Sequence, residues 1–232
     1  MSPSVWLPEE PIFLEKADEP HVRPHRPLNQ GDIFVDVPQA VVARKEGLPA
    51  VNLSDTFALL LGHTCSIRAG ANLVQLQTVC EVRPASDREK ATFAEPWDGW
   101  WTLFPLVGFK DDALWVADFN LVSTVHVKHL REKRVACLNE RGWAALQKRF
   151  ANHCVRDSQP LEIRQADSHY LWVEIELCEE WCSRGHREPD FFDWLKEPIA
   201  VDCPYKGTPR SKALDLAGDF IRSELPEAAA AA

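Results

Sequence analysis

Gly31-Asp32-Ile33-Phe34-Val35-Asp36-Val37-Pro38 is the stretch from which the rest of this 232-residue chain is read. Ile33 to Val37 is a run of strand-formers, opened by Gly-Asp and stopped by proline. Such residues fit a pleated, half-buried surface. Further runs of the same kind follow. Phe57–Leu61 is continuously apolar, as a buried strand is, and ends in the polar turn Gly62-His63-Thr64-Cys65. Leu73 to Val82 alternates imperfectly. Trp101–Val107, Ala113–Phe119 and Leu121–Val125 complete the series, with Pro105 pushing its strand to an edge or a bulge. The stretches Pro38–Asp55 and 84–99 are mixed or polar and are expected to hold loops. Short strands at this spacing predict a mainly β unit, a small barrel or sandwich.

Helical signals lie beyond the strands. Asn139 can cap a helix whose apolar face is Trp143, Leu146 and Phe150. Gly142 is its weak position, costing about 1 kcal/mol relative to Ala. A second helix is expected from Pro209 to Leu225, with Thr208 as cap and Leu214, Ala217, Phe220 and Ile221 on one face. Between them, Tyr170 to Leu177 alternates like a strand, and Cys178 to Gly185 reads as helix or turn. Upstream, residues 1–30 hold six of the 17 prolines and read as an extended arm. Its Trp6, Leu7, Ile12, Phe13 and Leu14 are too apolar for a solvated tail, so the arm is expected to lie on the globular part. The organisation read from these breaks is an arm (1–30), a β-rich unit closed by a helix (31–154) and an acidic, partly helical extension (155–232).

Charge follows the same division. The chain carries 26 basic and 35 acidic residues, net −9. Residues 31–154 are balanced at 14 of each, whereas 155–232 carry 9 basic and 16 acidic, net −7. A neutral middle lacks the strongly basic footprint of a dedicated nucleic-acid domain, and the acidic end would repel phosphate or mask a basic partner. No run of about 18 apolar residues suits a membrane span. The N-terminus does not read as a secretory leader, and seven cysteines without one point to reduced thiols in a cytoplasm. There is no Gly-rich phosphate loop and no Gly-x-Ser-x-Gly element, so no nucleotide cofactor is implied.

The order of elements resembles the PemK/MazF family of toxin-like ribonucleases. The features that carry the resemblance are the Gly31–Pro38 opening, the strand Phe57–Leu61 followed by Leu73–Thr78, and Leu130-Arg131-Glu132-Lys133-Arg134-Val135-Ala136-Cys137-Leu138-Asn139 leading into a helix. It implies an SH3-like barrel, often dimeric, with an antitoxin-like protein partner, in a bacterial toxin–antitoxin or regulatory system. It also implies RNA as ligand and, in active members, metal-free cleavage through the RNA's own 2′-hydroxyl. Thr78 matches the family's hydroxyl position. The family's Arg falls at Asp55 or Thr56, neither a cation, so the expected activity is that of a binding module that has lost cleavage. The alternative is an endoribonuclease whose cation has moved.

For that alternative, the turn after Leu61 supplies candidates. His63 can exchange a proton near neutrality, and Arg68 can hold a phosphate bidentately. With Thr78 these form the candidate catalytic set; the same turn reads equally as side chains satisfying local amides. Lys128, Arg131, Lys133 and Arg134 form the one basic cluster, either a phosphate-binding surface or a solvated strand edge. Trp97, Trp100 and Trp101 can anchor a partner or clamp loops onto the core. Cys178, Cys182 and His186 recur at four-residue spacing and, with Cys203, contain the elements of a zinc site, though at an uncommon spacing.

Overall fold

The computed structural model describes residues 11–45, 48–93, 102–110, 113–155, 161–195, 210–223 and 225. Its spine is an antiparallel hairpin of β2 (Ile33–Lys45) and β3 (Leu48–Leu60). β2 begins at the predicted residue but continues through Pro38, and the stretch expected to loop is strand. The neighbouring strand β9 (Arg134–Leu138) pairs with β2 only at Ile33 and Phe34. Beyond that point β2 has one free edge, where a sheet tolerates proline. A bulge between Phe34 and Val37, with Asp36 at φ 51°, bends the hairpin as it leaves the sheet.

The remaining strands are β1 (Phe13–Lys16), β6 (Leu76–Pro84), β7 (Leu103–Lys110) and β8 (Ala113–His126), with a two-stranded piece, β4 (Arg68–Ala69) and β5 (Asn72–Leu73), set apart. The large sheet is antiparallel in the order β1-β9-β2-β3-β6-β8-β7. The fold is thus mixed α+β. The closed barrel expected from the strand spacing is not formed, because β1 and β7 end the sheet without pairing to each other. Side chains take the place of that pairing: Phe13 and Phe109 face each other across the opening with ring centroids 6.0 Å apart. The two strands expected over 113–125 are one strand. Its register shifts between Glu81↔Asp118 and Cys80↔Val122, so residues 119–121 bulge out.

The arm lies on the sheet as expected for its described part. β1 pairs with β9, and Ile12, Val22 and Leu28 are buried. A helix follows β9, α3 (Glu140–Val155), and Asn139 caps it, its side-chain oxygen accepting from the Gly142 amide at 2.8 Å. Gly142 has a packing reason: a Cβ there would run into the Ile12 carbonyl oxygen. Within the stretch expected to loop, α2 (Asp87–Phe93) forms behind a reciprocal cap, with Glu89 accepting from the Ser86 amide and Ser86 from the Glu89 amide.

The acidic extension is helical where it is described: α4 (Leu161–Ser183), α5 (Glu188–Trp194) and α6 (Arg210–Ser223). The strand expected at 170–177 is the middle of α4. That helix is wedged between two cores. Trp172 packs with Trp143 under the sheet, while Leu177, Cys178 and Trp181 join Phe191, Leu214 and Ile221 in a second cluster. Burial on two sides of one helix leaves an apolar pattern that imitates strand alternation. No helix among the described residues is long and apolar enough to cross a membrane. Trp97, Trp100, Trp101, Cys203 and Thr208 lie outside the described residues.

Candidate anion-binding cleft

A short helical turn, α1 (Thr64–Ile67), leads from the end of β3 into β4. Gly70, at φ 68°, turns the chain back into β5. Gln77, buried on β6, fixes the base of this hairpin by donating to the carbonyls of Ile67 (3.2 Å) and Val74 (2.6 Å). Ala71 at its tip is buried in the helical cluster, so the hairpin is held from both sides. Opposite it, the end of β8 passes into a tight turn over Val127–His129, where His126 Nδ1 accepts from the Lys128 amide. The Val127 amide reaches back to the Gln75 carbonyl at 2.7 Å.

Between these two turns and the start of α5 lies a cleft of about 370 Å³, whose titratable and charged lining is Arg68, His126, Lys128, Arg131 and Glu188. A second cleft of about 230 Å³ adjoins it, lined among others by His21, Arg26 and Arg134. The two share Leu73, Arg131 and Glu188. The larger one carries Arg68, Lys128 and Arg131 against the single carboxylate of Glu188, a balance that favours an anion.

Arg68 is the unusual member. Its side chain is 6% exposed and its guanidinium lies over the Phe192 ring, 4.3 Å from the centroid. Its Nη2 is in ion-pair contact with Glu188, and its Nε and Nη1 have no hydrogen-bond partner among the described residues. Burial lowers its pKa to about 10, which leaves it charged at neutral pH. Lys128 and Arg131 are exposed and make no ion pair among the described residues.

Arg134 is used differently. It is buried and pairs with Asp32 at 3.0 Å, and its terminal nitrogens donate to the carbonyls of Arg23, Arg26 and Pro27. Asp32 also accepts from the Asn29 amide at 2.9 Å. Burial pushes the Asp32 carboxyl up, against the opposing pull of Arg134 and Arg26. Arg26 and Arg23 in turn hold Glu179 of α4, at 3.0 and 2.6 Å. Arg134 is therefore a clamp between the arm and the sheet. Lys133 is half-buried and donates to the Asp36 carbonyl at 2.6 Å.

The candidate catalytic set is not drawn together. Thr78 is exposed on β6, between the inward-facing Gln77 and Val79, so alternation carries it away from the Arg68 side. His63 precedes α1 and lines neither cleft. Burial lowers its pKa, although its surface is exposed. Thr56, at the family's Arg position, accepts from Gln39 at 2.6 Å.

Among the described residues no group of three or more His, Cys, Asp or Glu side chains is placed to hold a metal. Cys178 is buried among apolar side chains, and burial raises its thiol pKa. The His186 ring lies against Trp181 at 5.0 Å. Sequence reasoning missed Glu188, Asp32 and Arg26. The acidic run around Glu188 reads as a solvated face, and nothing local marks which carboxylate turns inward. In comparison with known proteins, the chain matches no family model and no curated protein.

Proposed function

We propose that this chain is a catalytically divergent binding module of the PemK/MazF type, acting in a bacterial regulatory or toxin–antitoxin system. Its open, curled sheet would be a derivative of the family's SH3-like barrel. Its ligand surface is the larger cleft, where phosphates of single-stranded RNA are held by Arg68, Lys128 and Arg131. One observation carries the choice of binding over cleavage. Arg68, Lys128 and Arg131 line a single cleft, whereas Thr78 points to the other side of β6 and His63 lines no part of it. Metal-free cleavage needs a proton acceptor and a cation at the same phosphodiester. Binding needs only the cations.

The test is incubation of the purified protein with a fluorescein-labelled, mixed-sequence RNA in EDTA. Anisotropy reads binding, and the ends of any products read cleavage. The expected result is salt-sensitive binding with intact RNA, weakened several-fold by Arg131→Ala and Lys128→Ala. Products bearing 2′,3′-cyclic phosphates, lost in His63→Ala, would replace this reading with that of an endoribonuclease with a relocated site. Absence of binding at low salt would refute RNA as the ligand.

A further inference from the structure

We infer that Glu188 is a built-in occupant of the Arg68 anion site, which a ligand phosphate must displace. The inference rests on the reading of the cleft as an RNA-binding surface and adds how that surface is regulated.

Three observations carry it. First, the site is built but only partly satisfied. The Arg68 side chain is more than nine-tenths buried and its guanidinium lies over the Phe192 ring; Nη2 is met by Glu188 Oε1, whereas Nε and Nη1 have no hydrogen-bond partner among the described residues. A guanidinium presents five donors in a fork suited to two acceptor oxygens at once. A single carboxylate oxygen at Nη2 balances the charge and leaves the Nε and Nη1 donors unmet, which is costly inside a protein. A phosphate offers several acceptor oxygens to the same fork.

Second, Glu188 is free to leave. Its side chain is 26% exposed, and α5 is anchored by the buried Phe191 and Phe192 rather than by Glu188. The flanking charges are engaged elsewhere, since Arg187 and Asp190 pair with each other at 2.7 Å. Release therefore requires a side-chain rotation and no unfolding of the helix. Third, Glu188 lines both clefts where they meet. A carboxylate at that junction repels a phosphate chain lying in either one, and Lys128 and Arg131 stand beside it to receive the incoming phosphates.

Binding of the labelled RNA is measured across a salt series for the parent chain, Glu188→Gln and Asp190→Asn, each checked by thermal melting. Asp190→Asn removes the same charge from the same helix without facing Arg68. Glu188→Gln is expected to bind about tenfold tighter than the parent, and Asp190→Asn less than twofold. In an Arg68→Gln background the Glu188→Gln gain should vanish. If Glu188→Gln and Asp190→Asn behave alike, or the gain survives without Arg68, Glu188 is merely one more negative charge and the inference is overturned. Failure of every form, Glu188→Gln included, to bind at low salt would sink the RNA reading itself along with this one.

Discussion

Arg134 and Arg68 are the same residue at nearly the same burial, with side chains 7% and 6% exposed, and they are put to opposite uses. Arg134 spends both terminal nitrogens on Asp32 and three backbone carbonyls. Arg68 has an aromatic ring beneath it and one carboxylate against its Nη2, with no partner for Nε or Nη1 among the described residues. Arg134 has four acceptors at its terminal nitrogens, all from the fold, and only its Nε is without one among the described residues. Arg68 has one acceptor, a half-buried carboxylate, and two open nitrogens, so its desolvation is compensated less by the fold and leaves room for an outside acceptor. Burial and charge do not separate these two arginines; the acceptors around each do.

The largest effect expected from this contrast is on the Arg134 side. Arg134→Ala leaves Asp32 as a carboxylate with a 2% exposed side chain, which cannot reach water. Breaking a buried pair in this way costs about 3–5 kcal/mol. Urea denaturation should show the midpoint falling steeply with an unchanged slope. A loss below about 1 kcal/mol would mean that Arg26 alone neutralises Asp32 and that Arg134 is not the clamp.

The same contrast marks what the sequence made legible. β2 starts at Ile33, α3 follows its Asn139 cap and α6 spans most of its predicted range, because local signals agree with the packing there. The Ser86-x-x-Glu89 cap of α2 was equally local but lay inside a polar stretch with little apolar periodicity. The length of the β2–β3 hairpin was hidden by Pro38 and by the mixed composition of the stretch that follows it. The strand reading of 170–177 failed because α4 buries two faces in two different cores. At the site, the sequence showed that Arg68, Lys128 and Arg131 were cations beside strands. It could not show that they share one cleft or that Arg134 turns inward, because the partners of Arg134 come from residues more than 100 positions away.

A third guanidinium sharpens the comparison. Arg83 is more open, 26% exposed, and pairs with Glu89 at 2.8 Å and Asp118 at 2.7 Å. Hydrogen bonding from Arg83 lowers the Glu89 pKa to about 2, below its ordinary 4.5. A depressed carboxyl adds stability that is complete above the unfolded value and is lost as pH falls through the folded one. Stability should therefore decline between pH 4.5 and about 2. Arg83→Gln should flatten that limb and cost about 1 kcal/mol or less at neutral pH, as partly solvated pairs do. Urea midpoints measured across this range check it. An acid limb identical in Arg83→Gln would assign the decline to other carboxyls.

The smallest expected change in stability belongs to Arg68, and it bears most directly on the contrast. Arg68→Gln gives up the stacking on Phe192, which favours the parent, and relieves the cost of burying unmet donors, which favours the variant. These oppose each other, so stability should stay within about 1 kcal/mol of the parent. Glu188 does not become a second Asp32, because its 26% exposed side chain can hydrate once its partner is gone. The RNA affinity of the same variant should fall several-fold. A stability loss approaching that of Arg134→Ala would make Arg68 a clamp like Arg134 and remove the reason to place a ligand there. Near-unchanged stability together with weakened binding is what an arginine held open for an outside anion should give.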